Sequence, residues 1–118
     1  FDSKGNYAFV AEDIDNLSDV NDNVYINNLK LPFPETSVKN ISDFSFIRGM
    51  FYTLNDKLFY IGEIKISEDK TLREIFVDNI SLGKVYDMIG EINYNEKTNE
   101  VNFFATKDKS IYKVTVRF

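Results

Sequence analysis

Apolar and polar residues alternate with a period of two along much of this chain, most cleanly at its end. There Tyr112, Val114, Val116 and Phe118 interleave with Lys113, Thr115 and Arg117. A pleated strand sends successive side chains to opposite faces, so 111–118 is predicted as a half-buried strand, with the apolar set in a sheet-to-sheet core beside Phe103 and Phe59. Ile92–Tyr94 and Glu100–Thr106 read as its neighbours, separated by polar turns at Glu96–Asn99 and Lys107–Ser110. In the middle, Lys57–Ser67 (KLFYIGEIKIS) is the strongest strand signal. Phe59 and Ile61 share one face and Leu58 and Tyr60 the other; Gly62 is read as a bulge or bend that decides where Ile64 lies.

Earlier, the turn chemistry of Asp2–Asn6 precedes an apolar strand at Tyr7–Ala11. Residues 14–23 read as a polar insertion before a strand at Val24–Leu29. Leu31-Pro32-Phe33-Pro34 lacks the N–H groups a ladder needs, so 30–40 is expected to be an extended connector that lays Leu31 and Phe33 on the core. Ile41–Phe46 is predicted as a strand that breaks at Arg48-Gly49 and restarts at Met50–Leu54.

Residues 71–89 fit two periods. As a strand, Arg73, Ile75 and Val77 face one way and Leu72, Glu74 and Phe76 the other, with Asp78-Asn79 as a stop. As a helix, Leu72, Ile75, Phe76 and Ile80 form a stripe behind a capping box at Thr71–Glu74. The run Ile75-Phe76-Val77 favours the strand.

Composition narrows the chemistry. Among 118 residues there are 11 Phe and 7 Tyr but no Cys, His or Trp, which removes disulfides, thiolate sites and any His-based triad within the chain. The net charge of −5 is concentrated in residues 1–43, which hold 3 Lys against 8 Asp and Glu; residues 44–118 hold 11 of each sign. Such a surface repels phosphate backbones and anionic lipid, so neither nucleic acid nor membrane is expected as a partner. The chain opens on Phe1, not Met, which suggests a processed or excised product and leaves the compartment open, secretion included.

Without gaps, FDSKGNYAFVAEDI (1–14) aligns with FYTLNDKLFYIGEI (51–64), matching Phe1/Phe51, Phe9/Phe59 and Ile14/Ile64; NEKTNEVNFFATKD (95–108) repeats the layout with Phe103 in register. Repeat-like units thus fall at about 1–40, 41–84 and 85–118, each a turn, an apolar strand, a polar loop and another strand. On Ser3-Lys4-Gly5-Asn6 before Tyr7–Ala11, on Asn23-Val24-Tyr25-Ile26, and on Lys109-Ser110-Ile111-Tyr112-Lys113-Val114, the sequence resembles β-propeller repeats of the WD40-like, TolB type. No unit carries a Trp-Asp pair or a double glycine. The resemblance implies an all-β fold of antiparallel short strands in about three blade-like repeats. Propellers close at about four to eight blades, so 1–118 would be a single all-β domain or a part of a larger propeller. A small β-sandwich, or an α+β domain with a helix near 71–89, is the alternative.

Candidate chemistry is sparse. The acidic stretch at residues 12–23 contains Asp19, Asn21 and Asn23 in the spacing that opens a calcium loop, but Val24 and Lys30 replace the expected Gly and Glu. It reads as a solvated loop with Asx turns, calcium being the one cofactor it leaves open. Glu63 and Glu91 interrupt apolar runs beside glycines and are read as outward-facing strand residues. Tyr52, Tyr60, Tyr86 and Tyr94 are read first as packing residues and second as a ligand platform. Asn16, Asn40 and Asn79 head Asn-x-Ser sequons. No catalytic, cofactor-binding or metal-binding residue is assigned. The chain is expected to be a non-catalytic binding or interaction module, with a protein partner or self-association and its function on loops such as 12–23. The alternatives are a non-catalytic piece of a propeller-containing hydrolase and a structural surface or virion subunit assembling through sheet edges.

Overall fold

A computed structural model describes residues 1–16, 19–32 and 43–118, with side chains outside 12–22 and 33–46. Among these residues the chain is all-β, without helix, in three antiparallel sheets taken in sequence order. Sheet 1 holds β1 (Ala8–Asn16), β2 (Asp19–Ile26) and the short β3 (Leu29–Lys30). Sheet 2 is β4 (Asp43–Tyr52), β5 (Leu58–Ser67), β6 (Lys70–Val77) and β7 (Ile80–Tyr86), paired in that order. In sheet 3, β10 (Glu100–Lys107) pairs on one side with β11 (Ser110–Arg117) and on the other with β8 (Met88–Ile89) and β9 (Asn93–Asn95).

Sheet 2 is the middle layer. Phe59, Ile61 and Ile75 pack towards sheet 3 with Val101, Phe103 and Ala105; Val114, Val116 and Phe118 lie partly buried against them. Leu58, Tyr60, Ile64 and Phe76 pack the other way with Val24 of sheet 1, flanked by Ala8, Val10, Ile26 and Leu31. A strand buried on both faces cannot alternate apolar with polar, which is why residues 58–61 are unbroken apolar sequence.

Several expectations are corrected. Residues 71–89 contain no helix: β6 and β7 meet at Asp78-Asn79, whose φ angles of 51° and 65° form the two-residue turn that suits the twist of paired strands. The helical stripe loses because Ile75 and Phe76 are each needed on a different face of sheet 2. Gly62 is no bulge: the β5–β6 register runs unbroken from Phe59 to Lys65, so Ile64 keeps the face of Leu58 and Tyr60. The irregularities fall instead on β4, which passes through Arg48-Gly49 without ending; Gly49 takes φ +65°, a conformation cheap only for glycine. Residues 12–16 and 19–23 are no loop insertion either: they belong to β1 and β2, which pair Glu12 with Asp22 and Asp13 with Asn21. Leu31 does rest on the core, while Phe33 lies outside the described residues. Tyr112 is 48% exposed and leaves the core to its neighbours.

The β1–β2 and β5–β6 hairpins share one register. Ala8↔Ile26 corresponds to Phe59↔Val77 and Phe9↔Tyr25 to Tyr60↔Phe76, a shift of 51 positions in both strands, and the irregularity after Ile14 matches that after Lys65. Phe9 therefore corresponds to Tyr60, not to Phe59 as the gapless alignment has it. The β10–β11 hairpin closes without such an irregularity.

Phe59 and Phe104 differ in the face they occupy, the first fully buried and the second 62% exposed. In urea unfolding, Phe59→Ala is expected to cost about 3–5 kcal/mol, and Phe104→Ala no more than about 0.5 kcal/mol. Equal losses would mean that the layer assignment is wrong.

Candidate functional site

The site begins with a buried acidic side chain. Glu74 on β6 has no exposed surface and lies opposite Gly62, which has no side chain to compete for the space. Ser81 donates its hydroxyl to the Glu74 carboxylate and accepts the N–H of Gly83 at 2.9 Å. That relay pins a bulge: two steps on β6, Glu74 to Phe76, face four on β7, Val85 to Ser81. Gly83 holds φ +75° within it, which favours glycine there. The bulge swings Gly83 and Lys84 out from the ladder at the free side of β7.

Beyond β7 a cleft of about 510 Å³ opens towards β11, lined by Gly83, Lys84, Val85, Tyr86, Lys107 and residues 112–115. Consecutive strand residues face opposite ways, so a space touching four in a row on each strand must run along the strand edges rather than over a face. Both are edge strands among the described residues, where β7 pairs only β6 and β11 only β10. The lining holds three lysines and no carboxylate, in a chain of net charge −5. Among the described residues, Lys84, Lys107 and Lys113 take part in no ion pair. Tyr86 and Tyr112 add a hydroxyl each; burial, and then Tyr112, push the Tyr86 phenol above its ordinary 10, so it remains a neutral donor.

A second hollow, of about 340 Å³ between sheets 1 and 2, is acidic, with Asp2, Asp56 and Asp78 beside Tyr52. Its carboxylates are already engaged. Asp2 accepts from the N–H groups of Lys4 and Asn6, Asp56 from the N–H and hydroxyl of Ser3, and Asp78 from Leu58 N–H at 2.9 Å with Lys57 at 3.3 Å. These bonds build turns.

The residues singled out from sequence scatter. Glu63 is half-buried between Arg48 and Arg73 at 3.4 and 3.5 Å, and Glu91 is exposed between β8 and β9. Tyr60 is buried and donates to Asn79 Oδ1 at 2.6 Å; burial, and then the charge of Glu74, raise its pKa. Tyr94 accepts Leu54 N–H and donates to Asn99, and Tyr52 packs on the sheet 1 side. Tyr86 alone of the four lines the lysine cleft. The Asn79 side chain is held between Tyr60 and Pro32; Asn40 lies outside the described residues, as does the Asn16 side chain. Asp19, Asn21 and Asn23 stand in extended β2, where alternate residues are about 7 Å apart and do not wrap a cation. Among the described residues no three acidic side chains could hold a metal ion. The cleft lysines carried no sequence signal, since their approach depends on the bulge and on two edges from different sheets. No known protein family, curated protein or solved structure matches this chain.

Two measurements test these assignments. Ser81→Ala removes the hydroxyl from the buried carboxylate and is expected to cost about 1.5–3 kcal/mol, with amide shifts concentrated at residues 81–86; a neutral effect would mean that the relay does not hold the bulge. The Ser3 bonds hold the Asp56 carboxyl below its usual 3.8. The contact is therefore fully made above pH 3.8 and lost as pH falls through the lower folded value. The Ser3 amide resonance should move over that acid range in the wild type and stay still in Asp56→Asn.

Proposed function

We propose that this chain is a non-catalytic binding module whose site is the β7–β11 cleft and whose ligand is anionic. What carries the reading is three lysines without carboxylate partners among the described residues, Lys84 and Lys113 on two neighbouring sheet edges and Lys107 at the end of β10, in an otherwise acidic chain. Lysine on an edge strand is also a device against unwanted pairing. The two roles agree: an ammonium cluster repels a basic or apolar segment and admits an acidic one, so it filters what approaches. A volume of about 510 Å³ is within the range of small-ligand sites. The blade-like character of the sheets belongs to the same reading; it is supported by their sequential stacking and by the matched registers of the β1–β2 and β5–β6 hairpins.

A second reading, a subunit that assembles with its own kind, is favoured by the aromatic row on the outer side of sheet 1. Phe9 stacks on Tyr25 at 5.1 Å and on Tyr7 at 6.1 Å, with Phe1 edge-on to Tyr7, opposite the face that Ala8 and Val10 turn to the core. Light scattering over a wide concentration range tests it: a dimer abolished by Phe9→Ser supports assembly, and a monomer throughout removes it.

For the cleft, fluorescence anisotropy with a labelled hexaglutamate is expected to show binding that weakens with salt, as the Debye length shrinks from about 10 Å at 0.1 M to about 3 Å at 1 M. The variant K84E/K107E/K113E should bind at least tenfold more weakly with its unfolding curve unchanged. Unaltered affinity in that variant would overturn the reading.

A further inference from the structure

The backbone of β11 says more about what the cleft takes. Phe118 donates its N–H to Asn99 O at 3.1 Å, in step with the pairing of β10 and β11. Hydrogen-bonded and open positions alternate along a strand of an antiparallel pair. The even-numbered residues of β11 therefore bond to β10, and Ile111, Lys113, Thr115 and Arg117 turn their N–H and C=O groups away from it. Among the described residues β11 pairs only with β10, and the cleft lies along Lys113 and Thr115.

The other sheets show what that side of the strand accommodates. Asn27 N–H bonds to Tyr7 O at 3.0 Å and Asp78 N–H to Leu58 O at 2.8 Å, the same closing bond that Phe118 makes in sheet 3. By this correspondence β11 stands where β2 and β6 stand, and their outward sides are covered by β3 and β7.

Resting on the cleft reading above, we propose that the anionic ligand is an extended acidic polypeptide that adds to β11 as a further strand of sheet 3. Its backbone pairs with the outward groups of Lys113 and Thr115. Lys107 and Val114 lie on the face of sheet 3 turned towards sheet 2 and Lys113 on the other, so acidic side chains on either face of the added strand meet an ammonium group, with Lys84 reaching in from β7. Length separates a strand from a point anion. The cleft follows four consecutive residues of each edge, about 10 Å of strand, and a single phosphate or carboxylate would leave most of that ladder unused.

The test uses the full chain, a blocked octapeptide alternating Glu and Val, and two N-methylated forms of it, one methylated on each edge of the extended peptide. The expected result is at least tenfold slower amide exchange at Lys113 and Thr115 in the complex. Affinity should fall at least tenfold for one methylated form and stay unchanged for the other, and fall at least tenfold in K84E/K107E/K113E. Equal affinity for both methylated forms, with Lys113 and Thr115 exchanging as in the free chain, overturns strand addition and leaves the anionic cleft standing. Failure of both the octapeptide and pyrophosphate to bind overturns the cleft reading, and strand addition with it. Equal binding of a Lys-Val octapeptide overturns the charge assignment. Protection of the same amides that rises with protein concentration and without peptide would make a second copy the occupant and overturn the assignment to a separate acidic partner.

Discussion

The centre of sheet 2 has water on neither side, and the rest of the molecule follows from how that is achieved. Leu58, Tyr60 and Ile64 close one core while Phe59 and Ile61, the residues between them, close the other. Each such side chain contributes about 1.5–3 kcal/mol by leaving water. A one-residue slip of β5 would exchange the two sets, setting residues fitted to sheet 1 against sheet 3. The register of β5 therefore holds both outer sheets in place, and Tyr60, whose hydroxyl must reach Asn79, allows only one setting.

A layer dry on both faces leaves little room for polar atoms, and so Glu74 matters. An ionised carboxylate buried there is costly unless its lone pairs are engaged. Ser81 engages one of its two oxygens, Oε2, by staying close to β6 while two extra residues of β7 bulge outward. The burial of one carboxylate in the middle of the fold thus sets the outline of its edge, and Lys84 reaches the cleft as a consequence of core chemistry. Mutations at Glu74 and at Lys84 should on this view be coupled, although one residue is wholly buried and the other exposed.

What could be read from the sequence was what depends on neighbours along the chain. The unbroken run 58–61, the alternation in 111–118 and the turn residues at 78–79 and 108–109 each report a local constraint, and the strands stand there. Errors came where the constraint was remote. Gly62 looked like a bend because a strand glycine often is one, but here it faces Glu74 across the ladder. Arg48-Gly49 looked like a break because its partner strand, which absorbs the extra residue, starts at Leu58. The polar character of 12–23 suggests a loop, whereas 12–16 and 19–23 stand in paired strands, which can carry polar residues along their length. Tyr112 has the parity of Val114 and Val116, yet it lies near the turn end of β11, where it borders the cleft instead of the core.

Edges bring these observations together. A sheet with both edges bare invites any passing strand, and proteins limit this by charge, by bulges or by covering strands. Here β2 and β6 are covered, β7 carries a bulge, and β11 is guarded by lysine alone. Charge differs from the other two devices in being conditional. A covering strand or a bulge excludes every comer, whereas an ammonium cluster excludes by sign and favours a segment of the opposite sign as strongly as it rejects one of its own. The acidic character of residues 1–43 gives that sign a further use, because a chain that is negative elsewhere offers an acidic partner no competing place to rest. On the proposal made above, affinity at the cleft and repulsion over the remaining surface would act together, orienting an acidic strand towards the β11 edge.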